Sequence, residues 1–203
     1  MKLHTVVISY NRLDLLQETL SSYLATVTVP YSLMVVDNHS DSDVRAWLGA
    51  QLDYPVLLLG ENLYPGAACN IGFEYAPDDA THLHRSDSDM RYLPGWDQEV
   101  QCRFVELRRC GQVGLRTDAE ELECATNVGG TCVIDRQLWR AGVRWDTRPW
   151  EQLGSTTEDY YLSQEVQRRG WRWTRVRKPC VVHLASGDRD DPYYQHSYGI
   201  RGI

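Results

Sequence analysis

The sequence predicts a single α/β domain with a mostly parallel central sheet flanked by helices, and three observations carry that reading. Short apolar runs of strand length alternate with stretches whose apolar residues recur at helical spacing. Several of those runs end in clusters of Asp, Asn, Ser and His, as strands do where the carboxyl rim of an open sheet holds a ligand. The chain has 203 residues, the size of one ordinary domain whose core stands without disulfides.

The elements follow in order. His4 to Ile8 reads as a first strand. From Arg12 to Ala25, Leu13, Leu16, Leu20, Tyr23 and Leu24 recur with helical period, so a helix follows. Ser32 to Val36 is a strand, Val44 to Leu48 a short helix, Pro55 to Leu59 a strand, and Ala67 to Tyr75 a helix after Gly66. Thr81 to Arg85 is the fourth strand. Trp96 to Arg108 is a helix with Val100, Phe104 and Leu107 on one face, and Gln112 to Leu115 a further strand. In the second half Gly130 to Ile134 is a strand and Arg136 to Ala141 a short helix. Glu158 to Arg169 is a helix for which Ser155, Thr156 and Thr157 are possible caps. Trp171 to Val176 and Cys180 to His183 are closing strands, and the polar, aromatic stretch beyond them has no period and reads as a loop or lid. No internal repeat or interdomain linker is visible.

Composition narrows the function. Hydrophobic residues at 42% and charged residues at 24% exclude disordered and fibrous classes. A formal charge of −7 argues against a nucleic-acid backbone as partner, because phosphate contacts need clustered Lys and Arg. An anionic small ligand would need a cation between it and the carboxylates. The cysteines at 69, 102, 110, 124, 132 and 180 form no C-x-x-C pair and read as reduced, mostly buried thiols. The apolar run in MKLHTVVISYN is too short for a signal peptide, and nowhere do about 18 apolar residues run together. A cytoplasmic protein is the expectation. Seven Trp and twelve Tyr stand against two Phe, an aromatic balance that suits either half-buried core or stacking on sugars.

Two stretches carry the chemistry. VVDNHSDSD, Val35 to Asp43, runs from β-branched residues straight into carboxylates, an amide and hydroxyls, and HLHRSDSDM, His82 to Met90, does the same. The strand-end rule sets Ser9-Tyr10-Asn11, Asp37-Asn38, Glu61-Asn62 and Asp87-Ser88-Asp89 along one rim. Carboxylates at i and i+2 past a strand reach different parts of one ligand, and hard oxygens suit Mg²⁺ or Mn²⁺. D-x-D alone also describes a solvated turn, and its place on the rim favours the ligand.

Taken in order, Val7-Ile8-Ser9-Tyr10-Asn11-Arg12, Val35-Val36-Asp37-Asn38 with Ser40, Glu61-Asn62 to Asn70-Ile71-Gly72, Asp87-Ser88-Asp89, Leu93-Pro94-Gly95-Trp96, Gly129-Gly130 to Arg136, Glu158-Asp159 and Arg169-Gly170-Trp171 resemble family 2 glycosyltransferases of the GT-A fold. The resemblance covers nearly the whole chain. It implies that Ser9, Tyr10, Asn11, Arg12, Asp37 and Asn38 grip the nucleotide of a nucleoside diphosphate sugar. Asp37 would accept the imide N–H of uracil or thymine, a bond that suits an acceptor-only carboxylate. Asn62, Gly66 and Asn70 would let the backbone approach the donor. Asp87 and Ser88 would face ribose or metal, and Asp89 would bind the Mn²⁺ or Mg²⁺ bridging the diphosphate. His183 matches a histidine that supplements this site in many relatives, and an isolated strand-end His is also a common structural residue. Glu158-Asp159 matches the acceptor-side acidic pair, Asp159 being the base; acids at a helix N-terminus are the competing reading. Gly130 lies on the acceptor side. Trp150 and Trp145 suit stacking on an acceptor sugar or core packing.

The implied function is metal-dependent, inverting transfer to a hydroxyl of a saccharide, lipid-linked acceptor or natural-product aglycone. Gln167-Arg168-Arg169-Gly170-Trp171 approaches the Q-x-x-R-W of processive synthases, but Gly170 stands where the Arg would be, so single addition is expected. The expected organisation is a donor half at 1–115, an acceptor half at 116–185 and a lid at 186–203. The acceptor pocket would be minimal, or completed by a partner subunit. The rivals are retaining transfer, a sugar nucleotidyltransferase, whose Gly-rich, Arg-containing phosphate loop SYNRLD does not match, and a carbohydrate-binding protein without turnover.

Overall fold

The computed structural model describes residues 1–115, 127–153 and 157–184. The strands are β1 (Leu3–Ser9), β2 (Tyr31–Asp37), β3 (Val56–Leu58), β4 (His82–Asp87), β5 (Met90–Tyr92), β6 (Cys110–Gly114), β7 (Cys132–Asp135), β8 (Arg172–Arg175) and β9 (Val181–His183). The helices are α1 (Leu13–Thr26), α2 (Ser42–Gly49), α3 (Tyr64–Glu74), α4 (Trp96–Glu106), α5 (Arg136–Arg140), α6 (Trp150–Leu153) and α7 (Glu158–Arg168). Seven strands form the main sheet in the order β3-β2-β1-β4-β7-β6-β8, and β5 pairs with β9 in a separate ribbon. Only β7 runs against its neighbours; every other pairing in the main sheet is parallel. The expectation of a mostly parallel sheet flanked by helices holds.

The sequence explains this architecture directly. All seven residues of β1, LHTVVIS, are buried, as a central strand covered on both faces requires. Side chains alternate across it, Val7 joining one apolar cluster with Leu16, Leu20, Tyr23, Val35 and Trp96, and Val6 and Ile8 joining another with Val36, Phe73, Leu83 and Trp145. Each such side chain contributes about 1.5–3 kcal/mol by leaving water. Helix α1 lays Leu16, Leu20 and Tyr23 on the sheet and leaves Leu24 exposed. It stops at Val27, whose backbone is extended.

His84 sits inside the first layer, its ring centre 5.0 Å from that of Trp96 and 5.8 Å from that of Tyr92. Burial lowers its pKa to about 3, so it is a neutral core residue, as its assignment to the sheet expected. Its ring nitrogens meet Thr5 Oγ1 at 3.2 Å and Tyr92 Oη at 3.2 Å.

Differences from the expected elements concern short pieces. Strand β4 continues two residues past Arg85 to Asp87, and a turn at Ser88-Asp89 leads straight into β5. With three residues, β5 is too short to show a period in sequence, and its pairing to β9 takes Val181–His183 out of the main sheet. Helix α6 was likewise not expected. Thr157 occupies the N-cap of α7 but its side chain makes no capping bond. Ser155, Thr156 and the expected lid at 186–203 lie outside the described residues. The cysteines at 69, 110, 132 and 180 are free and buried, and Cys102 is free and exposed.

Candidate active site

The carboxyl ends of β2, β1 and β4 lie side by side, with Ser9 opposite Asp37 and Ile8 opposite Asp87. Asp37 and Asp87 therefore stand two strand spacings apart, about 10 Å. Asp37 is fully buried, and its Oδ2 accepts from Ser40 N at 3.2 Å and from Arg45 Nη1 at 3.2 Å. Among the described residues its Oδ1 has no partner, and neither has the buried Ser9 Oγ beside it. An unpaired buried acceptor is costly unless a ligand completes it.

The loop after β1 is built around two consecutive residues in the left-handed region, Asn11 at φ 55° and Arg12 at φ 56°. Such backbone persists only when the surroundings hold it. Here Asn11 N donates to Ser40 Oγ at 2.7 Å and Asn11 Oδ1 accepts from Asp41 N at 2.6 Å, which locks this loop to the one after β2. Tyr10, half-buried, leads into it. A cavity of about 460 Å³ opens alongside, lined by Asn11, Arg12 and the first turns of α1 and α2.

The backbone then carries Arg12 toward the second acidic group, where its Nη1 lies 3.3 Å from Asp89 Oδ2. His183 Nε2 meets the same oxygen at 3.1 Å, brought there by the β5–β9 ribbon, in which His183 lies opposite Met90. Asp89 Oδ1 is buried and has no partner among the described residues. Ser88, half-buried, fills the turn between Asp87 and Asp89. Among the described residues no three His, Cys, Asp or Glu side chains form a ready metal cage. Mg²⁺-type sites use one or two carboxylates and complete their shell with water and substrate phosphate. The free Asp89 oxygen, with Asp87 and His183 close by, fits that kind of site.

The third group is organised by a residue that the sequence reading passed over. Arg85 is 3% exposed, and it projects to the same face of β4 as Leu83 and Asp87 because strand side chains alternate. Its Nη1 donates to Asp159 Oδ1 at 3.0 Å; its Nη2 donates to Glu158 Oε1 at 3.0 Å and to Asp87 Oδ1 at 3.3 Å. The guanidinium lies 5.8 Å from the ring centre of Trp145. Burial works against its charge, but Asp159, Asp87 and Glu158 together outweigh burial and hold its pKa above the ordinary value. Asp159 responds oppositely. Burial raises its pKa, Arg85 opposes this, and Glu158 and Asp87 add to it, leaving the carboxyl at about 7. Asp87 is further fixed by Thr131, whose Oγ1 lies 3.3 Å from Asp87 Oδ2.

Gly130 makes this packing possible. A Cβ there would lie 2.5 Å from Asp87 Oδ2 and 3.2 Å from Arg85 Nη2. Gly66 is small for another reason, since a Cβ there would lie 2.0 Å from the carbonyl oxygen of Asp146. Asn70 clamps the same segment, donating to Trp145 O at 2.9 Å and accepting from Trp145 N at 3.1 Å. Asn62 Oδ1 accepts from Asn38 Nδ2 at 2.8 Å, and Asn38 Oδ1 in turn accepts from Leu63 N at 2.8 Å. These amides thus hold the loops that frame the site. Trp145 is 1% exposed and packs in the core; the side chain of Trp150 lies outside the described residues.

The structure therefore gathers Ser9, Asn11, Asp37 and Asn38 at one end of the rim, Arg12, Asp89 and His183 in the middle, and Asp87, Gly130, Glu158 and Asp159 at the other. Arg85, Arg45 and Thr131 were missed. The available signal for Arg85 was its spacing, a cation two residues before Asp87 on a strand and so on the same face.

Residues 5–123 match the family model described as glycosyl transferase family 2. The fold resembles a mannosyltransferase from Pyrobaculum calidifontis, solved with GDP-Man and Mn²⁺, with a TM-score of 0.73 at 16% identity, covering 99% of this chain and 64% of that one. It also resembles S. aureus TarS, residues 1–349, solved with UDP, with a TM-score of 0.63 at 16% identity, covering 90% of this chain and 60% of that one. This chain thus spans less than two thirds of either structure, at 64% and 60%. No curated protein matches it.

Proposed function

The chain belongs to glycosyl transferase family 2, and from that premise we propose that it moves a sugar from a nucleoside diphosphate sugar, of UDP or dTDP type, to an acceptor hydroxyl by single, inverting displacement. The observation that carries this reading is the meeting of donor-side and acceptor-side carboxylates, Asp87 and the Glu158-Asp159 pair, on one buried guanidinium. A reacting centre between them has a diphosphate-facing acid on one side and a proton acceptor on the other.

Asp37 Oδ1 would take the imide N–H of the base, which satisfies its orphaned acceptor. Asp89, Asp87 and His183 would hold Mn²⁺ or Mg²⁺, which when bound supplies Lewis-acid stabilisation of the departing diphosphate. Arg12, beside Asp89, adds a cation from the protein itself. Asp159 removes the proton of the acceptor hydroxyl as that oxygen attacks the anomeric carbon, and its carboxyl at about 7 is well matched to a base working near neutrality. Glu158 shares Arg85 with it and is 5% exposed, which suits support more than proton transfer. The donor half is 1–115 and the acceptor half 116–185 in this reading.

A thermal-shift screen of nucleotide sugars with and without Mn²⁺ tests the proposal, because a ligand that binds the native state raises its melting point. A uridine or thymidine diphosphate sugar should stabilise the wild-type chain only with the cation, and Asp89→Ala should abolish that shift. An unchanged shift in the variant removes Asp89 from the site. Donor hydrolysis in the presence of metal separates a transferase from a binding protein, and the anomeric configuration of the product separates inversion from retention.

A further inference from the structure

We propose that Arg85 is a positioning residue: it ties the donor-side carboxylate Asp87 to the acceptor-side pair Glu158 and Asp159, so that Asp159 is presented to the acceptor in register with the donor. The inference rests on the transferase reading above and adds a residue to it.

The geometry assigns this role to the side chain's shape as much as to its charge. One guanidinium edge divides its donors between two elements, Nη1 serving Asp159 on α7 and Nη2 serving both Glu158 on α7 and Asp87 on β4. No other contact described here joins these three carboxylates. Asp87 has an independent anchor in Thr131, from the segment leading into β7, so it keeps its place without Arg85. Asp159 has Arg85 as its only ion-pair partner among the described residues, and the other side chain that bears on it by hydrogen bonding is the neutral Trp145, so Arg85 is the one charged group that orients its Oδ1. The guanidinium itself has little freedom. It is bounded by the Trp145 ring at 5.8 Å and by the bare backbone of Gly130, whose Cβ would stand 3.2 Å from Nη2.

A purely stabilising role does not explain this arrangement. Buried ion pairs contribute little net stability over apolar packing, because desolvation offsets the attraction. Three carboxylates around one cation are a poorer case still, since they leave excess negative charge in a place where 97% of the Arg85 surface is already removed from water. The buried Nε of Arg85 also lacks a hydrogen-bond partner among the described residues. Such a cluster makes sense where the acids are needed for chemistry and the cation is needed to hold them. Lysine would not substitute, because a point charge lacks the planar fork that reaches separate partners at fixed angles.

Two measurements test the proposal on purified protein. In the first, Arg85→Lys is compared with wild type by melting temperature, by calorimetric affinity for UDP with Mn²⁺, and by steady-state transfer. The expected result is UDP affinity within about fivefold and kcat lower by about 10²-fold, the cost of misplacing a reacting group by roughly 1 Å. A Lys variant that turns over at the wild-type rate overturns the proposal. The second needs no activity: melting temperatures of Arg85→Met, Asp159→Asn and the double variant form a cycle. The double variant should recover more of the stability lost in Arg85→Met than Asp159→Asn adds to the wild-type chain at the same pH, because the stranded carboxylate is gone; strictly additive changes overturn the link. If Arg85→Met does not fold, a folded double variant is the supporting result and an unfolded one the refuting result. A wild-type chain that binds no nucleoside diphosphate sugar sinks the transferase reading and this role with it, through a different measurement from the one that sinks Arg85 alone.

Discussion

Replacing Asp159 by Asn removes the carboxylate while keeping its shape, and the structure says how the result should vary with pH. With its carboxyl at about 7, the wild-type side chain is about one-tenth ionised at pH 6 and about nine-tenths ionised at pH 8. A base works only when ionised, so wild-type kcat/KM should rise about tenfold per pH unit below 7 and level off above it. Asp159→Asn should be slower by about 10²-fold or more at pH 8 and should lose that rise. Stability should move in the opposite sense. Between the ordinary carboxylate value of 3.8 and about 7 the folded state holds a proton that the unfolded state has released. Folding is therefore weakened as pH rises through that window, by at most about 4 kcal/mol once the group is fully ionised. The Asn variant escapes this cost, so it should melt higher than wild type at pH 8, by about 2–4 °C per kcal/mol recovered, by a smaller margin at about pH 5.5, and level with it only below the ordinary carboxylate value of 3.8. Initial rates from pH 5.5 to 8.5 (a window of about 1.5 units on each side of neutrality) together with melting curves at both ends are sufficient. A flat wild-type rate profile, or an Asn variant as fast as wild type, would refute the assignment of Asp159 as base.

Two further changes probe the donor side. Gly130→Ala places a Cβ 2.5 Å from Asp87 Oδ2, so the carboxylate must retreat by about 1 Å to reach ordinary contact. Transfer should fall by about 10²-fold with the melting temperature nearly unchanged, and a variant with normal kcat would show that Asp87 has room to spare. Asp37→Asn keeps volume but removes a charged acceptor, so affinity for UDP should drop by about tenfold or more by calorimetry, whereas equal affinity would place the base elsewhere.

How much of this was legible beforehand depended on the length scale of the signal. The parallel half of the sheet could be read because β1 and β2 are long apolar runs ending in polar clusters, though the order in which the strands pair was not stated by that pattern. Of the ribbon, β9 was read as the strand Cys180 to His183, but the three-residue β5 shows no period, so its pairing to β9 was not visible. That ribbon is what carries His183 to Asp89, so the resemblance could name His183 but no local pattern could place it. Asn70 and Gly66 show a different limit. Their residue types suggested room for a ligand, and in the structure both accommodate the backbone at Trp145-Asp146, a contact across more than 70 residues that sequence spacing cannot reveal. Arg85 was passed over because an Arg inside a strand reads as a solvated position until its face is known.

On the proposed transferase reading, the same cluster would also order the events at the site. Asp87, Asp89, Glu158 and Asp159 converge from β4, the following turn and α7, while Arg85, Arg12 and His183 are the positive or protonatable groups among them. Arg12 and His183 both lie on Asp89 Oδ2, and Oδ1 has no partner among the described residues. A diphosphate approaching this rim alone would meet carboxylates of its own sign, and a cation alone would have few protein ligands. Each therefore improves the site for the other, and by linkage the gain must be equal in both directions. The donor end should then fill as a unit of nucleotide and cation. Because Arg85 Nη2 is shared between Asp87 and Glu158, any turn of Asp87 toward that unit leaves the guanidinium more fully to the pair on α7. On the proposed reading, loading the donor would thereby tighten the hold on Asp159 before an acceptor hydroxyl needs it, so the base would be best ordered when the anomeric carbon is in place.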